Sequence, residues 1–446
     1  MSFPRYPKYK PSGVEWLGEV PEHWDVWKLA HAFALIASGT TPKTDNREYY
    51  DDGDIPWVNT GDLNDGELED CGKRITARAL ADHSSLKLYP AGSLLIAMYG
   101  ATIGKLAMLR FPATVNQACC VFAGASPIVS KFMFYWFLGL RQQILSLATG
   151  GGQPNVSQDI LRTLRVGCPD QAEQTKIASF LDRETSKIDG LVGEQRRLIE
   201  LLKETRQAVI SHAVTKGLNP HAPLKPSGIE WLGDVPEHWE VKPMRMIANV
   251  VRGASPRPAG DPLYFGGDAV PWVTVAEITK DDLVDLTETE GVLTEEGAKN
   301  STLFMKGTVI YSNSGATLGV PKILRIDACA NDGVVAFEKL SREVHPQFLY
   351  HYLASITEAI REKVKQGSGQ PNLNTDIVKA LRFGLPPMDE QERIVGHIAK
   401  LAEQFGSLTA EAERGIELLQ ERRTALTSAA VTGQIDVRGL VETEAT

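Results

Sequence analysis

PSGVEWLGEVPEHW (residues 11–24) returns as PSGIEWLGDVPEHW (residues 226–239), identical at 12 of 14 positions, with Val14/Ile229 and Glu19/Asp234 the only changes. The offset of 215 recurs where composition differs. It pairs Pro56-Trp57-Val58 with Pro271-Trp272-Val273, Gly100-Ala101-Thr102 with Gly315-Ala316-Thr317, and Asn116 with Asn331. Farther on the offset becomes 217, matching Gly152-Gln153-Pro154-Asn155 to Gly369-Gln370-Pro371-Asn372. The 446 residues are therefore a tandem duplication of a unit of about 215 residues, far above the 20 to 50 residue period of a solenoid.

Each repeat has the same internal order. After the Pro/Gly/Trp segment come short apolar runs split by Gly, Asn, Asp and Pro, such as residues 93–98 and 307–311, which predict strands. A helical stretch follows (Phe132 to Leu147, Phe348 to Val364), then a Gly-rich loop, then a proline-marked boundary at Pro169 or Pro386-Pro387. Beyond it, spacings of four and three pick out Ile177, Leu181, Glu184, Ile188, Leu191, Gln195, Leu198, Leu202, Thr205, Val209 and His212. Adding 217 gives Ile394, Ile398, Leu401, Phe405, Leu408, Ala412, Gly415, Leu419, Arg422, Leu426 and Ala429. These heptads predict two helices of about 40 residues, roughly 60 Å each. The simplest packing is antiparallel, one against the other; the alternative lays each helix on its own globular part. Residues after Thr432 show no pattern and are expected to fray.

The formal charge is −9, which provides no global attraction to a polyanion. Its distribution is uneven. Residues 1–71 hold 6 basic and 14 acidic side chains, and residues 72–165 hold 10 basic and 2 acidic. In the second repeat, residues 219–298 hold 6 and 14, and residues 299–385 hold 11 and 7. A basic later part in each repeat is the local footprint that a phosphate-binding surface requires.

Several chemistries find no support. Gly100-Ala-Thr-Ile-Gly104-Lys105 has three residues between its glycines and Leu106 after the lysine, so it is no phosphate loop, and the second copy has Val320 in place of the lysine. Both read as tight turns. The nine histidines show no HExxH spacing, and no GxSxG elbow, SxxK pair or methyltransferase motif occurs. No carboxylate cluster with a lysine suggests a nuclease. The five cysteines lack a CxxC and read as buried, inert thiols. No apolar run reaches the ~18 residues of a membrane span, and the amino terminus has no signal-peptide core, so a cytoplasmic location is expected. The repeated Trp16, Trp24, Trp231 and Trp239 read as core anchors, because they lie in the acidic parts.

Two similar units, each closing on a proline-marked helix with Pro169 to Glu173-Gln174 or Pro387-Met-Asp-Glu390-Gln391, resemble the specificity subunit of type I restriction-modification enzymes. The resemblance covers nearly the whole chain. It implies an α+β fold: two target-recognition domains of mixed strands and helices, separated by an antiparallel coiled coil of two long helices with pseudo-two-fold symmetry. The implied division is a first recognition domain over 1–168, a spacer helix over 169–217, a second recognition domain over 218–386, a spacer helix over 387–432 and a tail over 433–446. It implies a non-catalytic DNA-binding subunit in anti-phage defence that recognises a bipartite asymmetric site. Two modification subunits and the restriction subunits would be its partners. S-adenosylmethionine, ATP and Mg would belong to those subunits, and this chain would hold no cofactor or metal.

Asn, Gln, Arg, Ser and Thr on loops can pair with base edges, while Lys and Arg contact phosphates. The DNA-contact candidates in the first repeat are Thr40, Thr41, Lys43, Asn59, Thr60, Thr102, Lys105, Asn116, Gln117, Gln153 and Asn155. In the second they are Arg252, Ser255, Arg257, Thr274, Ser314, Thr317, Asn331, Gln370 and Asn372. Asn116, Asn331 and the two GQPN loops are shared, which suits scaffolding; unshared residues such as Arg252 and Arg257 suit discrimination. Two other classes stay open: a coiled-coil scaffold that never touches DNA, and an unrecognised nuclease.

Overall fold

The structure is a computed structural model, and it describes residues 3–125, 127–148, 154–230, 232–315, 317–365 and 373–440. The chain divides into two compact units. The first comprises residues 1–196 and 413–446, and the second residues 197–412. The central helix Gln171–Lys216 begins in the first unit and ends in the second, and the C-terminal helix Met388–Val431 runs the other way. Each unit thus carries one half of each long helix.

Both units repeat one sheet. In the first, Phe33–Ser38, Cys119–Ala125, Leu94–Ala97, Leu106–Leu109 and Gly66–Leu68 lie side by side in that order, antiparallel except for the last, parallel pair. In the second, Asn249–Arg252, Val334–Glu338, Val309–Ser312, Pro321–Leu324 and Asp285–Leu286 take the same places with the same senses. Alternation along these strands feeds two cores. Leu94, Ile96, Leu106, Met108, Cys120 and Phe122 face the helical side with Phe132, Trp136 and Phe180. Leu95, Ala97, Ala107, Leu109, Cys119 and Val121 face Val58 and Val115 of a smaller sheet. The second unit alternates likewise: Val309 and Tyr311 join one cluster, Ile310 and Ala336 another. The five cysteines are buried and unbridged.

The repeated motifs prove to be one device. The leading hairpin (Tyr9–Pro11 with Glu19–Pro21) delivers Trp24, fully buried, whose Nε1 donates to Glu173 at 3.1 Å; His23 lies 2.9 Å from the other carboxylate oxygen. In the second unit Trp239 and His238 meet Glu390 at 3.2 and 2.7 Å. The adjacent glutamine ties the helix start to the domain. Gln174 donates to Pro169 O and accepts from Val129 N, and Gln391 donates to Pro386 O and accepts from His345 N. The glutamate thus pins each long helix to the PEHW segment some 150 residues earlier in the chain, and the glutamine pins it to nearer backbone. The first unit adds one contact that the second lacks at its glutamate among the described residues: Tyr6 donates to Glu173 at 2.6 Å.

Within the first unit the two helix halves pair antiparallel. Arg423 bonds Asp189 at 3.0 Å, and Gly415 approaches Gln195, so one number rises as the other falls. The seam differs from the heptads expected on the central helix. Thr185, Val192, Ile199 and Ala213 are buried, whereas Leu191 and Leu198 are exposed. Ile177, Leu181, Thr185 and Ile188 are spaced four, four and three, an eleven-residue step close to the natural 3.6 period, and downstream Val192, Ile199, Ile210 and Ala213 are buried one position beyond the expected Leu191, Leu198, Val209 and His212. On the C-terminal helix the shift is confined to Leu408 and Arg422, which are exposed.

Two further expectations are corrected. The stretch Phe132 to Leu147 is two helices, Ser130–Gly139 and Arg141–Ser146. At the break Gly139 lies against the C-terminal helix, where a Cβ would come within 2.9 Å of Ser428 N. Residues 433–440 do not fray. Ile435 and Val437 are buried in the first core, Asp436 N bonds Pro4 O, and Tyr9 donates to Gly433 O. Arg183 donates to Leu440 O, and the Arg438 guanidinium lies over the Tyr6 ring, so polar and apolar contacts together hold this stretch of turns. Among the described residues no helix is long and apolar enough to cross a membrane.

Candidate nucleic-acid interface

The two units build the same loop platform. Gly39-Thr40-Thr41-Pro42-Lys43 and Gly253-Ala254-Ser255-Pro256-Arg257 leave the first strand of the large sheet in equivalent positions. The glycine is forced by proximity. A Cβ on Gly39 would sit 1.6 Å from Val115 O, and one on Gly253 would sit 2.2 Å from Asn331 O. Two residues on, a hydroxyl reaches the residue after the shared asparagine. Thr41 donates to Gln117 Oε1, and Ser255 donates to Asp332 Oδ1 at 2.7 Å. Two further, a basic side chain is presented to solvent: Lys43 in one unit, Arg257 in the other.

The shared asparagines brace this platform. Asn116 N bonds Val58 O, its Oδ1 accepts from Ala118 N, and its Nδ2 donates to Asn59 Oδ1 at 3.3 Å. Asn59 in turn donates to Trp57 O, and its backbone N–H bonds Asp62. Asn331 N bonds Val273 O, and its Oδ1 accepts from Gly333 N. Thr40 offers its carbonyl to Trp57 Nε1, and Thr60 is half-buried beside Asn59. Thr102 and Thr317 sit in the glycine turns, bonding through their carbonyls to Lys105 N and Ser312 Oγ. Lys105 is exposed and, like Lys43, has no ion pair among the described residues. Asn155 is exposed and its backbone bridges Tyr99, whose half-buried ring adjoins Gln117. Thr274 begins the short helix Val275–Thr279, and Ser314 is half-buried close to Gly333. Gln153, Gln370 and Asn372 lie outside the described residues.

Sequence reasoning passed over two members of this platform. Asp332 accepts from Ser255, lies 3.5 Å from an Arg257 nitrogen, and gives its carbonyl to Arg252 Nε at 2.5 Å. The Ser255 bond, and then the nearby arginine charges, hold its carboxyl below the usual range. Its position matches Gln117, so the offset of 215 was the available signal. The same offset matches Tyr99 to Ser314. Beneath Ser314, Asn313 is fully buried with neither side-chain polar atom bonded, where the first unit has Met98.

Folding also redraws the charge map. Arg74 pairs with Asp70, Arg78 with Glu48, Arg110 with Glu67 and Arg141 with Asp65, so much of the first repeat's basic part is neutralised by its acidic part. The second unit repeats this with Lys322–Asp281 and Arg325–Asp285. The parallel strand pair at the sheet edge brings these segments together. Lys43 and Lys105 are loop residues without an ion pair among the described residues, so the basic part of each repeat is only in part free to meet a phosphate.

A mixed α/β unit built twice, each copy carrying part of both long helices and a polar loop platform, defines a two-domain recognition protein. The family model described as "Type I restriction modification DNA specificity domain" matches residues 21–200 and again 236–417, and the chain belongs to that family. It is 24% identical to the MjaIX specificity subunit of Methanocaldococcus jannaschii, over 95% of this chain and 96% of that one. It is 22% identical to the EcoKI specificity subunit of Escherichia coli, over 95% and 92%. Among solved structures, the HsdS subunit from Thermoanaerobacter tengcongensis matches with a TM-score of 0.54 at 16% identity, over 93% of this chain and 98% of that one. A chain solved in work on complex assembly and conformational transition of the type I R-M system matches at 0.60, again with 16% identity, over 92% and 98%.

Proposed function

We propose that this chain is the sequence-recognising subunit of a type I restriction-modification enzyme, with each loop platform reading one half of a bipartite asymmetric DNA target. The observation that carries the reading is the platform itself. One scaffold is built twice, braced by the same glycine and asparagine, and it displays Thr41, Lys43 and Gln117 on one unit but Ser255, Arg257 and Asp332 on the other. Identical bracing with different exposed side chains is what two different half-sites demand. The recognition domains span 1–168 and 218–386, each followed along the chain by a long helix, and the contacts come from the candidate loops named above.

In this reading the chain is non-catalytic. Two modification subunits supply methyl transfer from S-adenosylmethionine, and restriction subunits supply the ATP- and Mg-dependent steps, all in the cytoplasm. The test is long-read mapping of methylated motifs in a host that carries this chain with its modification partner. The expected result is one motif of two short specified parts around an unspecified spacer, lost when this chain is deleted. Methylation that persists unchanged without it would refute the reading. Binding with no salt dependence would favour a protein scaffold, and cleavage by the purified chain with Mg²⁺ alone a nuclease.

A further inference from the structure

The second unit's platform differs from the first in one electrostatic respect. Asp332 gathers Ser255, Arg252 and Arg257 from one stretch 75 to 80 residues away, whereas among the described residues Gln117 gathers the Thr41 hydroxyl and adjoins Tyr99. Resting on the DNA-recognition reading, we propose that Arg257 reads a guanine in the half-site of the second unit and that Asp332 is the positioning residue that aims it.

Arg257 is 70% exposed, and one of its terminal nitrogens lies 3.5 Å from Asp332 Oδ2. A guanidinium has five N–H donors in a planar fork, so a single long bond to Asp332 leaves two parallel donors for O6 and N7 of guanine, the bidentate contact this fork fits best. An exposed pair this long holds an orientation without competing strongly with a base. Ser255 fixes the carboxylate from the other oxygen, and the backbone at Gly253 lies too close to Asn331 O for the loop to slide toward it. A carboxylate facing DNA phosphates is unfavourable alone; Arg252 and Arg257 offset it. The first unit presents Lys43, a point charge with no fork, opposite a neutral Gln117. There the same position contacts phosphate and carries no base preference.

The experiment uses the complex of this chain with its modification subunits. Binding is measured by competition against duplexes substituted one base pair at a time through the mapped motif. For the wild type, one G·C pair in the half-site of the second unit should cost about tenfold to a hundredfold on substitution. Arg257→Ala and Arg257→Lys should both abolish that preference and leave every other position unchanged. Asp332→Asn should flatten the preference at the same pair without weakening overall binding, since it removes a negative charge. Lys43→Ala should weaken all sequences alike and lower the salt slope by about one. Retention of the preference in Arg257→Lys, uniform weakening by Arg257→Ala, or an unchanged base profile in Asp332→Asn would each overturn the assignment while sequence-dependent binding stands. A wild-type complex with no sequence dependence would remove the DNA-recognition reading and this inference with it.

Discussion

Replacing Glu173 by alanine tests whether the repeated PEHW and Glu-Gln motifs are one structural lock. Glu173 is 6% exposed and receives Tyr6 at 2.6 Å, Trp24 at 3.1 Å and the half-exposed His23 at 2.9 Å. Tyr6 and Trp24 are themselves buried, and burial, with the hydrogen bond to Glu173 second, pushes the Tyr6 phenol well above its ordinary pKa, so it remains a donor. Truncation orphans both donors, at ~1–3 kcal/mol each. His23 turns to water at little cost. Among the described residues Glu390 holds one buried donor, Trp239, beside the half-exposed His238. Glu173→Ala should therefore cost more than Glu390→Ala by about one hydrogen bond to a charged acceptor, ~1.5–3 kcal/mol. The assay is urea unfolding of the full chain with peptide-level hydrogen exchange, following the strands Arg165–Cys168 and Arg382–Leu385 as reporters of each unit. Adding Tyr6→Phe to Glu173→Ala should recover part of the loss, because the orphaned hydroxyl is gone. Equal costs for the two glutamates, or no recovery with Tyr6→Phe, would refute the reasoning.

Burial, and secondarily the Arg206 charge, lowers the His351 pKa from 6.5 to about 4. The folded state therefore keeps this ring neutral where the unfolded chain takes up a proton. Its contribution is complete above about pH 6.5 and is lost as pH falls toward 4, at most ~3 kcal/mol because the side chain keeps some solvent contact. His351→Gln should flatten the acid limb of urea midpoint against pH, and an unchanged limb would contradict this. Gly39→Ala and Gly253→Ala should each cost ~1–3 kcal/mol by forcing a methyl into a backbone carbonyl, with the loss of DNA discrimination confined to the half-site of the altered unit. Wild-type melting and base preference in either variant would exclude the close approach.

The duplication, the strand and helix order, and the extent of the two long helices were legible because each is written in local order: a repeated string, a period of two, a period near 3.6. The platform residues were legible in part. Thr41, Gln117, Ser255 and Arg257 stood at repeated or polar loop positions, while Asp332, which the offset of 215 matches to Gln117, was passed over, since no local pattern ties it to Arg252 and Ser255, 80 and 77 residues away. The seam was undecidable between Leu191 and Val192, or Leu198 and Ile199, since both members of each pair are apolar and helical periods of seven and eleven differ by only one position there. Charge misled for a different reason. A sum along the chain separates Glu67 from Arg110, but a parallel strand pair sets them side by side. What the sequence by itself determined is the repeat, its periodicities and the residues each copy displays. What only the tertiary structure decided is which of them meet, because strand order, helix register and close backbone approach join positions that no local pattern connects.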